Sequence, residues 1–125
     1  MKKGFRALLA EANAEIDVVS PAEARALLGD ADTLFVDVRE AQERVRGYIP
    51  GSIHAPRGFL EFIADPEGPM HNPDLASGRR LVVYCASGGR STLAAKTLKD
   101  MGFDRVANLV GGIQAWAQAG GDLES

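Results

Sequence analysis

The chain has 125 residues, a formal net charge of −3 and a pI near 5.3. Hydrophobic residues make up 46% and charged residues 25%, which is typical of one soluble globular domain with its own core. The acidic balance argues against nucleic acid as a partner, and no apolar run is long enough for a signal peptide or a membrane span. The expected compartment is the cytoplasm.

Apolar runs, capping residues and turn residues predict strands that alternate with helices. Residues 5–15 have the apolar spacing of an amphipathic surface helix. Ser20-Pro21-Ala22-Glu23 begins the next helix, because Ser is an N-cap, Pro favours the first helical position and Glu completes a capping box. The predicted elements, in chain order, are a helix at 5–15, a strand at 16–19, a helix from 21 to about 28, a strand at 34–38, a helical turn at 39–45, a short strand at 52–55, a helical stretch at 57–64, loops at 65–74, a strand at 80–84, a helix from about 91 to 101, a strand at 106–109 and a helix at 111–119.

This alternation predicts an α/β domain whose mainly parallel central sheet has about five strands and helices on both faces. In such sheets, ligands bind beyond the carboxyl ends of the strands. We divide the chain into an N-terminal helical extension (1–15), the domain itself (16–121) and a short tail (122–125). The helix at 91–101 is expected to turn four side chains inward: Leu93, Thr97, Leu98 and Met101.

Cys85 is the only cysteine, and it directly follows the apolar run 81–84. It opens the segment 85–91, in which small residues and two glycines lead into a helix. A strand that ends in such a turn directs backbone N–H groups and the positive end of the helix dipole to one place. A thiol there ionises more easily, and the thiolate is the nucleophile. A lone cysteine is more often an inert core residue, but a structural cysteine needs no such loop.

The cysteine count also limits other chemistry. One cysteine excludes an intrachain disulfide and a metal site built from several cysteines. His54 and His71 do not have metal-ligand spacing. The sequence therefore predicts neither a metal nor a cofactor.

Three segments together resemble the rhodanese family of sulfurtransferases. Residues 37–40, Asp-Val-Arg-Glu, followed by the Gly-x-Ile-Pro-Gly-Ser pattern at 47–52, are similar to the signature that follows the second strand of that family. Residues 85–91, Cys-Ala-Ser-Gly-Gly-Arg-Ser, resemble its active-site loop. Residues 108–113, Asn-Leu-Val-Gly-Gly-Ile, with Trp116 are similar to its closing pattern. The resemblance covers nearly the whole chain, and the order and spacing of the motifs carry it.

The resemblance implies a rhodanese-like three-layer fold and a sulfurtransferase that carries a sulfane sulfur on Cys85 as a persulfide. The loop amides would stabilise the negative outer sulfur, as an oxyanion hole does. The resemblance also implies thiosulfate as the assay donor and cyanide as the assay acceptor, with thiols or a small thioredoxin-like protein as cellular acceptors. The candidate catalytic residue is Cys85, and the candidate substrate-binding residues are Ala86, Ser87, Gly88, Gly89, Arg90, Ser91 and Arg57.

Loop length separates two activities that the resemblance connects with this fold. From Cys85 to Arg90 the loop reads Cys-x4-Arg, a length that the resemblance implies for a sulfur-sized group. Phosphatases of the same fold use Cys-x5-Arg, so a phosphatase or arsenate reductase is the minor alternative. Ala86 and Ser87 are neutral where thiosulfate-using members have basic residues. Weaker steering of a dianion makes a persulfide from a protein or a small thiol the competing donor.

Several roles remain open on sequence grounds. Arg90 either contacts an anionic donor or pairs with a carboxylate, and Ser87 and Ser91 either bond the sulfur or cap the helix. Arg57 could contact an anion. Asp37 would raise the thiol pKa if it faced Cys85, and Arg39 is expected to neutralise it. The candidate partners of Arg39 are Asp37, Glu40 and Glu43.

Two other functions remain as alternatives. One is a regulatory or sulfur-relay binding module with little turnover, against which the intact cysteine loop argues. The other is a redox-sensing thiol, which would need an external thiol because the chain has no second cysteine.

Overall fold

The computed structural model describes residues 1–125, and its strands form one parallel five-stranded sheet with the order β1-β5-β4-β2-β3. The predicted α/β class is confirmed. No helix combines the length and the apolar character that crossing a membrane requires. The strands are β1 (Asp17–Val19), β2 (Thr33–Asp37), β3 (Ile53–His54), β4 (Arg80–Tyr84) and β5 (Val106–Leu109). The helices are α1 (Phe5–Glu15), α2 (Pro21–Leu27), α3 (Ala41–Arg44), α4 (Leu60–Ala64), α5 (Gly89–Asp100) and α6 (Gly112–Gln118), with 3-10 turns at Arg57–Phe59 and Pro73–Ala76.

The sheet is buried on both faces, as expected for parallel strands covered by helices. Every residue of β2 is buried, and β4 is buried from Leu81 onward. One face packs under α5, with Val36 and Val83 among its core residues. The other face packs around Trp116 of α6. The continuous apolar runs that predicted these strands therefore follow from burial on two sides.

The start of α2 confirms the predicted capping box. The Glu23 N–H donates to Ser20 Oγ at 3.1 Å, and the Ser20 N–H donates to Glu23 Oε1 at 3.0 Å. Two backbone donors that the first turn leaves without helical partners are thereby satisfied.

α5 differs from its prediction at both ends. It begins at Gly89, two residues earlier than expected, so Arg90 lies in the first turn. The predicted inward position of Met101 is wrong, because α5 ends at Asp100 and Met101 is 40% exposed. The buried face of α5 consists instead of Ser91, Thr92, Ala94, Ala95 and Leu98.

The two terminal segments contact the domain. α1 lies against α5 through the fully buried Ala12, and Lys96 Nζ is 3.1 Å from Glu15 Oε2. At the other end, Glu124 forms an antiparallel bridge with Tyr48, and Trp116 Nε1 donates to the Asp122 carbonyl at 2.8 Å.

Candidate active site

Cys85 lies at the carboxyl end of β4, one of the three strands with a neighbour on each side in the sheet. The chain leaves this strand through residues 86–88 and enters α5 at Gly89. Gly88 has a φ of +111°, a left-handed conformation that favours glycine, and a Cβ there would stand 3.5 Å from the Gly111 nitrogen. The tight turn therefore depends on backbone geometry that the glycine-rich sequence supplies.

The sulfur of Cys85 is surrounded by donors from the loop and the first turn of α5. The Gly88 N–H donates to Sγ at 3.1 Å and the Ser91 N–H at 3.4 Å. The Ser91 hydroxyl lies 3.4 Å from Sγ. The side chain is nearly fully buried, and the N-terminus of a twelve-residue helix faces it. This arrangement is suited to hold an anionic sulfur.

The thiol pKa reflects two opposing effects. Burial of Cys85 raises it, because the charged form loses water. Hydrogen bonds from the Ser91 hydroxyl and from the N–H groups of Ser91, Gly88 and Ser87 lower it by more. The pKa of Cys85 therefore lies below its ordinary value, as activation of a nucleophile requires.

Arg90 is held by a carboxylate at the edge of the loop. Its two terminal nitrogens each lie 2.8 Å from an oxygen of Glu43 on α3, and the Glu40 N–H donates to Glu43 Oε2 at 2.8 Å. The bonds from Arg90 lower the pKa of Glu43 to about 2 although partial burial opposes the shift. The pKa of Arg90 is raised, mainly by the bonds to Glu43 and in smaller part by the charge of Cys85. Of the two roles left open for Arg90, the structure shows the ion pair.

The Arg57 side chain bonds α4 and α5, and it makes no hydrogen bond to the 85–91 segment. Its nitrogens lie 3.1 Å from Glu61 Oε1 and 3.1 Å from Thr97 Oγ1. Thr97 is eight residues beyond Gly89, which is about 12 Å along the helix axis. The structure thus brings the residues of the 85–91 segment together and leaves Arg57 on the side of α5; substrate contact by Arg57 stays a prediction.

The negative charge of Asp37 is neutralised by two arginines, Arg39 and Arg44. It accepts from the Arg39 N–H and Nε at 3.0 Å each, from Arg39 Nη2 at 2.9 Å and from Arg44 Nη1 at 3.1 Å. Arg39 Nη2 also donates to the Gly47 carbonyl at 2.7 Å. Among the three candidates, the carboxylate that pairs with Arg39 is therefore Asp37. The group ties β2 to the segment that carries Glu43.

α6 supports the loop from behind. The Ile113 N–H donates to the Cys85 carbonyl at 2.9 Å and the Gln114 N–H to the Ala86 carbonyl at 3.1 Å. Gly112 has a φ of +62°, and a Cβ there would lie 2.5 Å from both of those carbonyl oxygens. The second glycine of the closing motif is thus required by close approach to the active-site loop.

Two residues of the site were missed by sequence reasoning. Asn108 of β5 accepts from Ser91 Oγ at 2.6 Å and donates to Thr92 Oγ1 at 3.0 Å. A polar residue inside an otherwise apolar strand was the available signal. Glu43 was expected as a possible partner of Arg39, and no sequence pattern indicated that it would reach Arg90.

Ser87 is exposed, and the N-cap of α5 is Gly88, so neither Ser87 nor Ser91 caps the helix.

No group of three or more His, Cys, Asp or Glu side chains lies in a position to hold a metal ion.

The fold and the site define a class of protein. It is a parallel α/β domain with a buried thiol of lowered pKa, which accepts hydrogen bonds from backbone N–H groups at a strand-to-helix turn. The rhodanese-like domain profile matches residues 20–119. The chain belongs to the rhodanese-like domain family.

Named relatives agree with this assignment. A protein named sulfurtransferase from Allochromatium vinosum is 36% identical over 106 residues, which cover 85% of this chain and 90% of that protein. A putative sulfur carrier protein from Bacillus subtilis is 36% identical over 70% of this chain and 43% of its own length. A tRNA uridine(34) hydroxylase from Agrobacterium fabrum is 32% identical over 86% of this chain, which spans only 33% of that protein. The family match and the relative named sulfurtransferase support sulfur transfer as the general activity.

A solved structure from Rhodopseudomonas palustris has a TM-score of 0.95 with this chain at 45% identity, covering 99% of this chain and 96% of that one. It is described as a protein of unknown function and a possible tyrosine phosphatase. A phosphatase is therefore the alternative activity with which the geometry of the site is compared below.

Proposed function

We propose that the protein is a sulfurtransferase that carries a sulfane sulfur as a persulfide on Cys85. The observation that carries this proposal is the position of Sγ among the N–H groups of Gly88 and Ser91 and the hydroxyl of Ser91. Such donors stabilise a negative sulfur in a site that excludes water. The N–H groups of the loop serve first the thiolate and then the persulfide anion.

The reaction has two displacements at sulfur. The Cys85 thiolate attacks the sulfane sulfur of a donor, a new S–S bond forms, and the donor leaves with the electron pair of the bond that breaks. A nucleophilic acceptor then attacks the outer sulfur, and the electron pair of the Cys85 S–S bond returns to Sγ as thiolate. The cycle is ping-pong and needs no outside oxidant or reductant.

The charges around the loop favour a donor with little negative charge. Ala86 and Ser87 are neutral, the Arg90 charge is paired with Glu43, and the Arg57 charge is paired with Glu61. Attraction of a dianion such as thiosulfate is therefore weak. A persulfide of a small thiol or of a protein fits better as the physiological donor, with thiosulfate as the assay donor.

On the acceptor side, cyanide serves in the assay, and thiols or a small thioredoxin-like protein serve in the cell. The relative named a sulfur carrier protein supports transfer to or from another protein. We place this activity in the cytoplasm.

A phosphatase is the second candidate, because one structural relative is described as a possible tyrosine phosphatase. The Cys-x4-Arg loop argues against it, since the loop closes on Sγ with its donors 3.1 and 3.4 Å away. In addition, Glu43 occupies both terminal nitrogens of Arg90, the group that would bind phosphate.

The deciding experiment is the intact-protein mass after incubation with thiosulfate and, separately, with a small-molecule persulfide, before and after cyanide. We expect a gain of one sulfur atom that cyanide reverses and that Cys85→Ser abolishes. The same samples are assayed with p-nitrophenyl phosphate. No sulfur gain from either donor would overturn the proposal. Hydrolysis of the phosphate ester that depends on Cys85 would establish the phosphatase instead.

A further inference from the structure

The Ser91 hydroxyl has one proton and three acceptors within reach. Asn108 Oδ1 is 2.6 Å away, the Gly88 carbonyl 3.2 Å and Cys85 Sγ 3.4 Å. Ser91 is fully buried, so water does not supply an alternative partner. The shortest contact is the strongest, and it directs the proton to Asn108 and away from the sulfur.

The orientation of the Asn108 amide follows from its second contact. Thr92 Oγ1 donates to the Gly88 carbonyl at 2.7 Å and has no second proton. It therefore accepts from Asn108, which presents Nδ2 to Thr92 at 3.0 Å and Oδ1 to Ser91. Asn108 is itself buried, and no buried side-chain polar atom of the chain lacks a partner. The amide is fixed by bonds at both ends.

We propose that Asn108 and Ser91 form a hydrogen-bond switch at Cys85. When Sγ is uncharged, the Ser91 hydroxyl donates to Asn108 Oδ1. When Sγ is a thiolate, the hydroxyl rotates about its C–O bond and donates to the sulfur. The hydroxyl proton stays on Ser91 throughout, so the rotation itself makes and breaks only hydrogen bonds; the S–H bond of Cys85 is broken in the ionisation that triggers it. Asn108 is a positioning residue, because it acts on the sulfur through Ser91.

The switch has a use in the catalytic cycle, and this part rests on the proposed function. In the persulfide the negative charge lies on the outer sulfur, and Sγ is uncharged. When the acceptor removes the outer sulfur, charge develops on Sγ as it leaves. A hydroxyl that becomes available at that moment stabilises the transition state more than the ground state, which is the condition for faster turnover.

Variants at Asn108 and Ser91 do not remove any of the charged side chains that surround Cys85. Arg90 lies near the sulfur on α5 and is paired with Glu43 of α3. On β2, Asp37 is bound by Arg39 and Arg44. Asn108 on β5 adds no charge. Replacements at Asn108 and Ser91 thus alter the switch while leaving these ionic partners in place.

The experiment measures the Cys85 thiol pKa from the pH dependence of its alkylation by iodoacetamide. Asn108→Leu, with the same number of side-chain heavy atoms, removes the competing acceptor, and we expect the pKa to fall by about 0.5 to 1 unit. Asn108→Asp adds a like charge and holds the hydroxyl proton, so we expect a rise of about 1 unit or more. Ser91→Ala removes the donor, so the pKa rises. In the Ser91→Ala background the Asn108→Leu shift disappears.

A merely structural Asn108 would give a different result. The proposal would be overturned if Asn108→Leu and Asn108→Asp shifted the Cys85 thiol pKa in the same direction. It would also be overturned if the pKa shift of Asn108→Leu persisted in the Ser91→Ala background. Ser52→Ala is the matched control, because Ser52 is also a buried hydroxyl, bonded to Tyr84 and Arg44. We expect its loss to leave the thiol pKa unchanged. Circular dichroism and thermal melting check each fold, and Asn108→Ala, with the same expected sign, replaces Asn108→Leu if that variant does not fold.

A single-turnover experiment then follows the discharge of preformed persulfide to cyanide. We expect Ser91→Ala to slow this step by about tenfold. An unchanged discharge rate would remove the catalytic part of the switch. Alkylation does not require sulfur transfer, so the thiol pKa tests the switch even if the wild type forms no persulfide. Failure of the proposed function is seen separately, as the absence of sulfur loading on the wild type.

Discussion

At the scale of single residues, Cys85 and Arg90 depend on groups that lie far from them in sequence. Glu43, 47 positions before Arg90, binds both of its terminal nitrogens. Asn108 lies 17 positions after Ser91 and fixes the hydroxyl that faces the sulfur. The chemistry of the loop is therefore set by neighbours that only the fold brings close.

The Arg90–Glu43 pair provides a test of donor choice. In Glu43→Gln the Arg90 charge is no longer cancelled, so a dianionic donor is attracted to the loop. We expect kcat/KM for thiosulfate to rise by about 3- to 10-fold, mainly through a lower KM, and the gain to shrink with added salt. Steady-state cyanolysis at two ionic strengths measures this.

The matched control is Glu61→Gln, which frees Arg57 in the same way on the side of α5. No change in the thiosulfate KM is expected there, because the Arg57 side chain bonds Glu61 and Thr97 and not the loop. An unchanged KM in Glu43→Gln would show that the ion pair does not decide donor charge. A lowered KM in Glu61→Gln would instead assign a substrate contact to Arg57.

At the scale of elements, the site lies where three strands end and helices begin. β4 leads into the loop and α5, β2 leads to α3 with Glu43, and β5 leads through the two glycines into α6. The first turn of α6 binds the carbonyls of Cys85 and Ala86 through its N–H groups. α6 thereby holds the loop in place through two backbone hydrogen bonds.

Gly112 tests this contact between elements. In Gly112→Ala the new Cβ would stand 2.5 Å from two loop carbonyls, at a φ of +62°. The loop or α6 must move, so we expect a loss of about 2 kcal/mol or more in the free energy of unfolding. Persulfide formation on Cys85 falls strongly as well. Thermal or urea unfolding and intact mass measure the two effects.

Gly58→Ala is the control for this substitution. A Cβ added at Gly58 would meet no other atom within 4 Å, and Gly58 does not have a positive φ. That variant is expected to keep both stability and persulfide loading. If Gly112→Ala retained full loading as well, close approach of α6 would not be what holds the loop.

At the scale of the whole molecule, the protein is held by a core on both faces of the sheet and by a buried ionic group between β2 and α3. Asp37 is fully buried and joined to Arg39 and Arg44. Breaking such a pair leaves an uncompensated buried charge. The exposed Glu23 and Asp32 and the half-buried Glu43 all have pKa values below their ordinary range because hydrogen-bond donors favour their charged forms.

These carboxyl groups predict how stability depends on pH. The pKa of Glu43 is about 2 in the folded protein against an ordinary 4.5, so between these values the unfolded chain binds more protons. Stability from Glu43 is therefore complete above about pH 5 and is lost as the pH falls toward 2. Urea unfolding of the wild type and of Glu43→Gln across this range measures it. We expect the two stability curves to converge at low pH; parallel curves would contradict the assigned shift.

The sequence by itself determined the fold class, the order of the elements, the capping of α2 and the loop around Cys85. These features depend on local patterns: apolar runs of strand length, a Ser-Pro-x-Glu helix start and a glycine-rich segment after a buried strand. Two errors were local as well. α5 begins two residues earlier than predicted and Met101 is exposed, because helix ends are set by the turn chemistry around Gly88 and Gly102 as well as by apolar spacing.

Only the tertiary structure decided which charges and hydroxyls meet. The sequence offered Arg39 three carboxylate partners, left the partner of Arg90 unnamed and indicated none for Arg57. In the structure their partners are Asp37, Glu43 and Glu61, respectively. The role of Asn108 required β5 to lie beside β4 and α5 to cross above them. The Arg90–Glu43 pair and the role of Asn108 depend on distances between segments far apart in the chain, which periodicity and spacing do not contain.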